Sequence, residues 1–159
     1  MTGERLVAWG SELRVVHGRL RDALLVARES VEAGASTETL ARDIRLFCWG
    51  FCVALNGHHA GEDSRLFPTL LAAHPELAPV VANLERDHSM ISHLISGLEA
   101  SLQSGEERSV LVRHLDGIEA VMETHFGYEE RQISALLDDV LPADVEPRAV
   151  FGPLAGREA

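Results

Sequence analysis

Four successive stretches of this chain carry apolar residues at steps of three and four, and the breaks between them are only a few residues long. In the first, Leu6, Trp9, Leu13, His17, Leu20 and Leu24 fall on one face of a helix predicted over about 4–33. Gly34 breaks the pattern, and Ser36 or Thr37 can accept a backbone N–H to start the next helix. That second helix aligns Ile44, Cys48, Phe51, Leu55, His58, Glu62 and Leu66. Gly50, Gly57 and Gly61 weaken it by about 1 kcal/mol each relative to Ala. Pro68 is expected to kink or end it, with Leu70 to His74 able to add a turn before Pro75. Pro75 suits the first turn of a third helix, whose stripe runs Val81, Leu84, His88, Ile91, Ile95, Leu98 and Leu102 to a stop at Gly105. The fourth repeats the rule with Leu111, Leu115, Ile118, Met122, His125, Glu129, Ile133 and Leu136.

Long amphipathic helices joined by short linkers pack as antiparallel neighbours. The expected fold is therefore all-α, an up-down antiparallel four-helix bundle over residues 1–141. Residues 142–159, with Pro142, Pro147, Gly152, Pro153 and Gly156, sustain no period and are expected to form an irregular C-terminal tail, a cap or a frayed end.

Six polar residues interrupt these apolar stripes: His17, His58, Glu62, His88, His125 and Glu129. Burying them without partners would cost several kcal/mol in all, and coordination of a metal compensates that cost. His58 with Glu62, and His125 with Glu129, are four apart, so each imidazole and carboxylate point the same way from one helix and can converge on one ion. The other two helices each add one stripe histidine. The segment from Gly57 to Leu71 aligns without gaps to that from Thr124 to Asp138, matching His58 to His125 and Glu62 to Glu129. Each half is a helix with one His followed by a helix with HxxxE, an internal two-helix pseudo-repeat. One HxxxE is weak, because helix surfaces carry many such pairs; two in register, each with an upstream stripe His, are a specific signal. His59 and Asp63 form an HxxxD pair rotated by about 100° from the stripe. They are the alternative to His58 and Glu62 as ligands, and otherwise lie behind the ligands or at the surface; the internal alignment favours His58 and Glu62.

Composition narrows the partners. All 14 cationic residues are Arg and stand against 25 Asp and Glu, for a formal charge of -11 that would repel phosphate backbones and anionic lipid. Neither nucleic acid nor a membrane is an expected partner. The longest apolar run, Leu46 to Leu55, falls well short of the ~20 residues that span a bilayer. The first residues lack a cationic apolar signal pattern, so a cytoplasmic location is expected. Cys48, Trp49, Phe51 and Cys52 read as core and helix-packing residues of a reducing compartment. His74, His93 and His114 read as surface residues, and Tyr128 as an aromatic at a helix interface that could also reach the metal pocket.

The pattern H…HxxxE…H…HxxxE, with Leu66-Phe67-Pro68 after the first carboxylate, resembles the hemerythrin-like family, the HHE cation-binding domains, over about residues 10–137. The resemblance implies a four-helix bundle around two non-haem iron ions. His17 and His58 would serve one iron, His88 and His125 the other, and Glu62 and Glu129 would bridge both. Oxygen-carrying members have a further His one turn after the position of His88, where this chain has Ser92. That departure argues against simple O2 transport. Two functions stay open: a di-iron oxidoreductase reacting with O2, H2O2 or NO at an open iron position, and a non-catalytic protein that binds, stores or senses iron or O2. A metal-free interaction bundle is disfavoured by the intact donor sets in both halves.

Overall fold

The computed structural model describes residues 8–142 and 144–156, and these are all-helical, with no strand among them. Four long helices dominate: α1 (Trp9–Ala33), α2 (Glu38–Gly61), α4 (Ala78–Ser104) and α5 (Arg108–Ile133). Short helices α3 (Phe67–Ala73), α6 (Leu137–Val140) and α7 (Pro147–Phe151) complete the set. The expected start of the first helix at residues 4–7, with Leu6, lies outside the described residues. Its end is as expected, at Gly34 with φ 80°, a backbone setting that glycine adopts without strain. Thr37 is the cap of α2, its Oγ1 accepting from Leu40 N at 3.1 Å. Gly105, left-handed at φ 69°, closes α4.

Pro68 does not end its helix. A π turn, Glu62–Leu66, joins α2 to α3, and Phe67 N bonds to the Glu62 carbonyl five residues back. Pro68 has no N–H and its ring would crowd the carbonyl four residues behind it; widening the turn just ahead accommodates both defects. Pro75 to Leu77 form a 3-10 turn, and Pro79 occupies the first turn of α4 proper.

Helix α1 packs along α2 and α5, α4 packs along α5, and α2 meets α4 more sparingly. The described stripe residues face one continuous core, except that Leu102 and Leu136 are only partly buried. Arg21 with Glu123, and Arg28 with Asp116 and Glu119, tie the outer faces of α1 and α5. Trp49 departs from expectation: it is 59% exposed, with Leu46, Phe47 and Val53 beside it on the outer side of α2, while Cys48, Phe51 and Cys52 are buried. A one-residue step turns a helical side chain by about 100°, so a continuous apolar run must present part of itself to solvent. No described helix is long and apolar enough to cross a membrane.

The tail segment is built against the body. Arg19 Nη1 donates to the Leu154 carbonyl at 2.6 Å, and Gly156 N donates to Glu12 at 2.7 Å. Val150 and Phe151 are fully buried. Helix α7 crosses α2 where Gly61 stands, with room for no side chain: a Cβ there would lie 2.5 Å from the Val150 carbonyl oxygen.

Candidate metal centre

Each long helix brings donors to one level of the core. His17 comes from α1, His58 from the last turn of α2, Glu62 from the π turn, His88 from α4, and His125 and Glu129 from α5. All six are buried, none more than 5% exposed. They sit inside because they share stripes with leucines and isoleucines, so the same periodicity that forms the core draws the polar groups into it.

Their donor atoms converge. Glu62 Oε1 lies 3.3 Å from His58 Nε2 and 3.4 Å from His88 Nε2. Glu129 Oε1 lies 3.1 Å from His17 Nε2, and its Oε2 lies 3.6 Å from His125 Nε2. Two groups of donors capable of holding a metal result: His17, His58 and Glu129 in one, and His59, Glu62, His88 and His125 in the other, each with its ligand atoms within 4.8 Å of one another. Despite these short separations His58 Nε2, both Glu62 oxygens and Glu129 Oε2 have no hydrogen-bond partner. These four buried polar atoms each carry a desolvation cost, unless a cation among them is the partner.

The far nitrogens show which tautomer faces inward. His58 Nδ1 donates to the Phe151 carbonyl at 2.9 Å, His88 Nδ1 to Asp63 at 2.7 Å and His125 Nδ1 to Asp87 at 3.0 Å. A carbonyl or carboxylate only accepts, so Nδ1 carries a proton and Nε2 is the nitrogen turned into the centre, the arrangement that orients imidazoles for a metal. His88 Nε2 and His125 Nε2 then stand 3.1 Å apart. Nitrogens that close need a proton or a metal ion between them, and about 3 Å is also the spacing of neighbouring donors on one ion bonded at about 2.1 Å. His17 is backed by Glu130, 3.7 Å from its Nδ1, and its ring stacks on Phe126 at 3.8 Å.

Burial, together with the neighbouring His17, pushes His58 down to about 3. Burial also holds His59 and His125 below the usual histidine value. All three are thus neutral, the form that binds metal. The carboxylates diverge. Burial and the adjacent Glu129 charge push Glu62 well above the usual carboxylate range. Burial opposes ionisation of Glu129 as well, but the His17 hydrogen bond and charge override it and hold Glu129 low, with His17 raised in return. Without a metal these shifts favour a His17–Glu129 ion pair and a protonated Glu62.

The six stripe residues meet at one place, together with His59, which with Asp63 is by spacing the alternative to His58 and Glu62 and is otherwise expected behind the ligands or at the surface. His59 is buried, stacked on His88 at 3.9 Å. Asp63 is partly exposed and holds His88 from behind. Tyr128 turns away and accepts from Asn83 Nδ2 at 3.3 Å. His93 is exposed, as is Ser92; His74 and His114 are half-buried and bonded to Glu76 and Ser101. Asp87, Glu130 and the Phe151 carbonyl were not singled out by spacing. Asp87 and Glu130 are chain neighbours of a ligand, a weak signal; a carbonyl from a distant tail has none.

A cleft of about 500 Å³ reaches this centre from outside between α2 and α4, lined by Asn56, His59, Asp63, His88, Ser89 and Ser92. No curated protein and no solved structure matches the chain. A family model does, the hemerythrin HHE cation binding domain, over residues 11–137, a span holding every donor described above. The resemblance first carried by two HxxxE pairs is thereby shown over most of the chain, which belongs to the hemerythrin HHE cation-binding family.

Proposed function

We propose that the chain holds two non-haem iron ions, bridged by Glu62 and Glu129, at the centre of an up-down antiparallel four-helix bundle made of two related helix pairs, and acts as an oxidoreductase on a small reactant, O2, H2O2 or NO. The observation that carries this reading is the place of the two carboxylates. Glu62 stands between His58 of one donor group and His88 of the other, and Glu129 between His17 and His125. Iron held by nitrogen and carboxylate donors with vacant positions supplies redox chemistry toward such reactants. The chain's residues do the rest. Asp63, Asp87 and the Phe151 carbonyl hold three imidazoles in the metal-binding tautomer. Glu62 gives up its proton when a cation arrives. The buried helical walls exclude bulk water, and the cleft between α2 and α4 admits small molecules past Asn56, Ser89 and Ser92. Those polar groups suit a reactant that takes up or releases protons and are a poor lining for a pocket meant to keep O2 intact.

Metal analysis after anaerobic iron loading, followed by stopped-flow spectra of the reduced protein with O2, H2O2 and NO, tests the reading. Two ions per chain and rapid oxidation by one reactant support it. A stable oxygenated species released intact on removing O2 would replace it with reversible O2 binding without turnover.

A further inference from the structure

One buried donor stands outside the six-residue set. His59 is 5% exposed, and its Nε2 is buried without a hydrogen-bond partner. Its ring lies face to face with His88 at 3.9 Å and 14°, and edge-on to His125 at 5.1 Å. One ligand atom each from His59, Glu62, His88 and His125 falls within a single 4.8 Å group. A buried imidazole nitrogen left without a partner is costly, and a cation beside it removes that cost. Helix geometry accounts for the position: His58 and His59 diverge by about 100° around α2, so consecutive residues can face two different points a few ångströms apart. Their ring centroids are 5.3 Å apart. On the facing helix α4, Ser92 stands one turn beyond His88 and lines the same cleft as His59. Where α4 offers only a hydroxyl, α2 supplies an imidazole.

We propose that His59 is a seventh metal ligand, the third imidazole of the position formed by His88, His125 and Glu62, so that the chain's two metal positions are unequal in histidine number. This rests on the two-ion reading above, and it assigns consecutive residues of one helix, His58 and His59, to different ions.

The test is metal titration of wild type, His59→Ala, His59→Phe and His59→Ala/Ser92→His, with iron(II) under anaerobic conditions and with cobalt(II), whose absorption bands report ligand number. Phe keeps a ring stacked on His88 while removing the donor, and far-UV circular dichroism of the metal-free proteins monitors the fold. The expected result is two ions in wild type. In His59→Ala and His59→Phe, one ion should stay near wild-type affinity while the other weakens at least tenfold with an altered cobalt spectrum. Ser92→His should recover part of that loss by presenting an imidazole from α4. Two ions bound with unchanged affinity and unchanged cobalt bands in either folded variant overturn the role of His59 alone. Fewer than two ions in wild type overturn the two-ion reading, and the assignment with it.

Discussion

Glu62 and Glu129 each stand four residues after a buried histidine and are both fully buried, yet their protons behave oppositely. Glu129 has His17 within hydrogen-bonding distance and is held low; burial and the neighbouring Glu129 charge push Glu62 well above the usual carboxylate range. The pH dependence follows. Above the usual carboxylate value of 4.5 the unfolded chain loses the Glu62 proton while the metal-free fold retains it. The unfolded state then binds fewer protons, so this residue makes the metal-free fold less stable as pH rises from 4.5 towards its folded value. Glu62→Gln keeps the shape and removes the titration. Metal-free Glu62→Gln should match wild type near pH 4 and be more stable at pH 7, while its metal affinity falls at least tenfold. Urea denaturation at both pH values with metal titration at pH 7 checks this; a stability difference independent of pH would show that Glu62 is ionised in the fold.

At the scale of elements, three glycines of α2 that look alike in sequence do different things. Gly50 is exposed with nothing within 4 Å of where a Cβ would stand, so Gly50→Ala should stabilise by up to about 1 kcal/mol through helix propensity. At Gly61 the added Cβ would meet the Val150 backbone at 2.5 Å. Gly61→Ala should therefore destabilise by about 1–3 kcal/mol, displacing α7. It should also weaken metal binding, because the Phe151 carbonyl that orients His58 moves with α7. Thermal melts and metal titration of both variants distinguish the cases, and a stabilising Gly61→Ala would mean that α7 does not pack there. The four stripes and the caps at Gly34, Thr37 and Gly105 were readable in the sequence because they are set by local periodicity and backbone preference. The continuation past Pro68 was not, because a single proline does not announce that a π turn will accommodate it. Nor was the seat of the tail, where a Cβ at Gly57 would meet the Pro153 ring and one at Gly61 the Val150 backbone, both far along the chain. At the site the same division holds. The six stripe donors declared themselves by being polar where the period demands apolar residues, whereas His59, one step off the stripe, is brought inside by the close approach of His88 and His125.

For the molecule as a whole, the helices that form the core also carry the candidate metal ligands, so a bound metal and the fold would be linked. The metal-free protein buries unpartnered atoms of His58, His59, Glu62 and Glu129 in the middle of its core. Each lowers stability, and an ion that coordinates them relieves the cost in the native state only, since the unfolded chain cannot assemble donors from four helices. At free metal one hundred times the dissociation constant, one bound ion adds about 2.7 kcal/mol. A chain of this length shifts its melting temperature by about 2–4 °C per kcal/mol, which gives roughly 5–10 °C for one ion and more for two. The rise should continue with the logarithm of free metal and should vanish with excess chelator. Glu129→Ala, which removes a carboxylate facing both donor groups and leaves His17 without its partner, should lose most of the metal-dependent rise and also melt lower when metal-free. Asp139→Ala, at a position away from the donors, should keep the full rise. Calorimetric melts across a series of iron(II) or zinc(II) concentrations make the comparison, and a wild-type melting temperature that does not move with metal would show that the buried polar cluster is held by the protein alone.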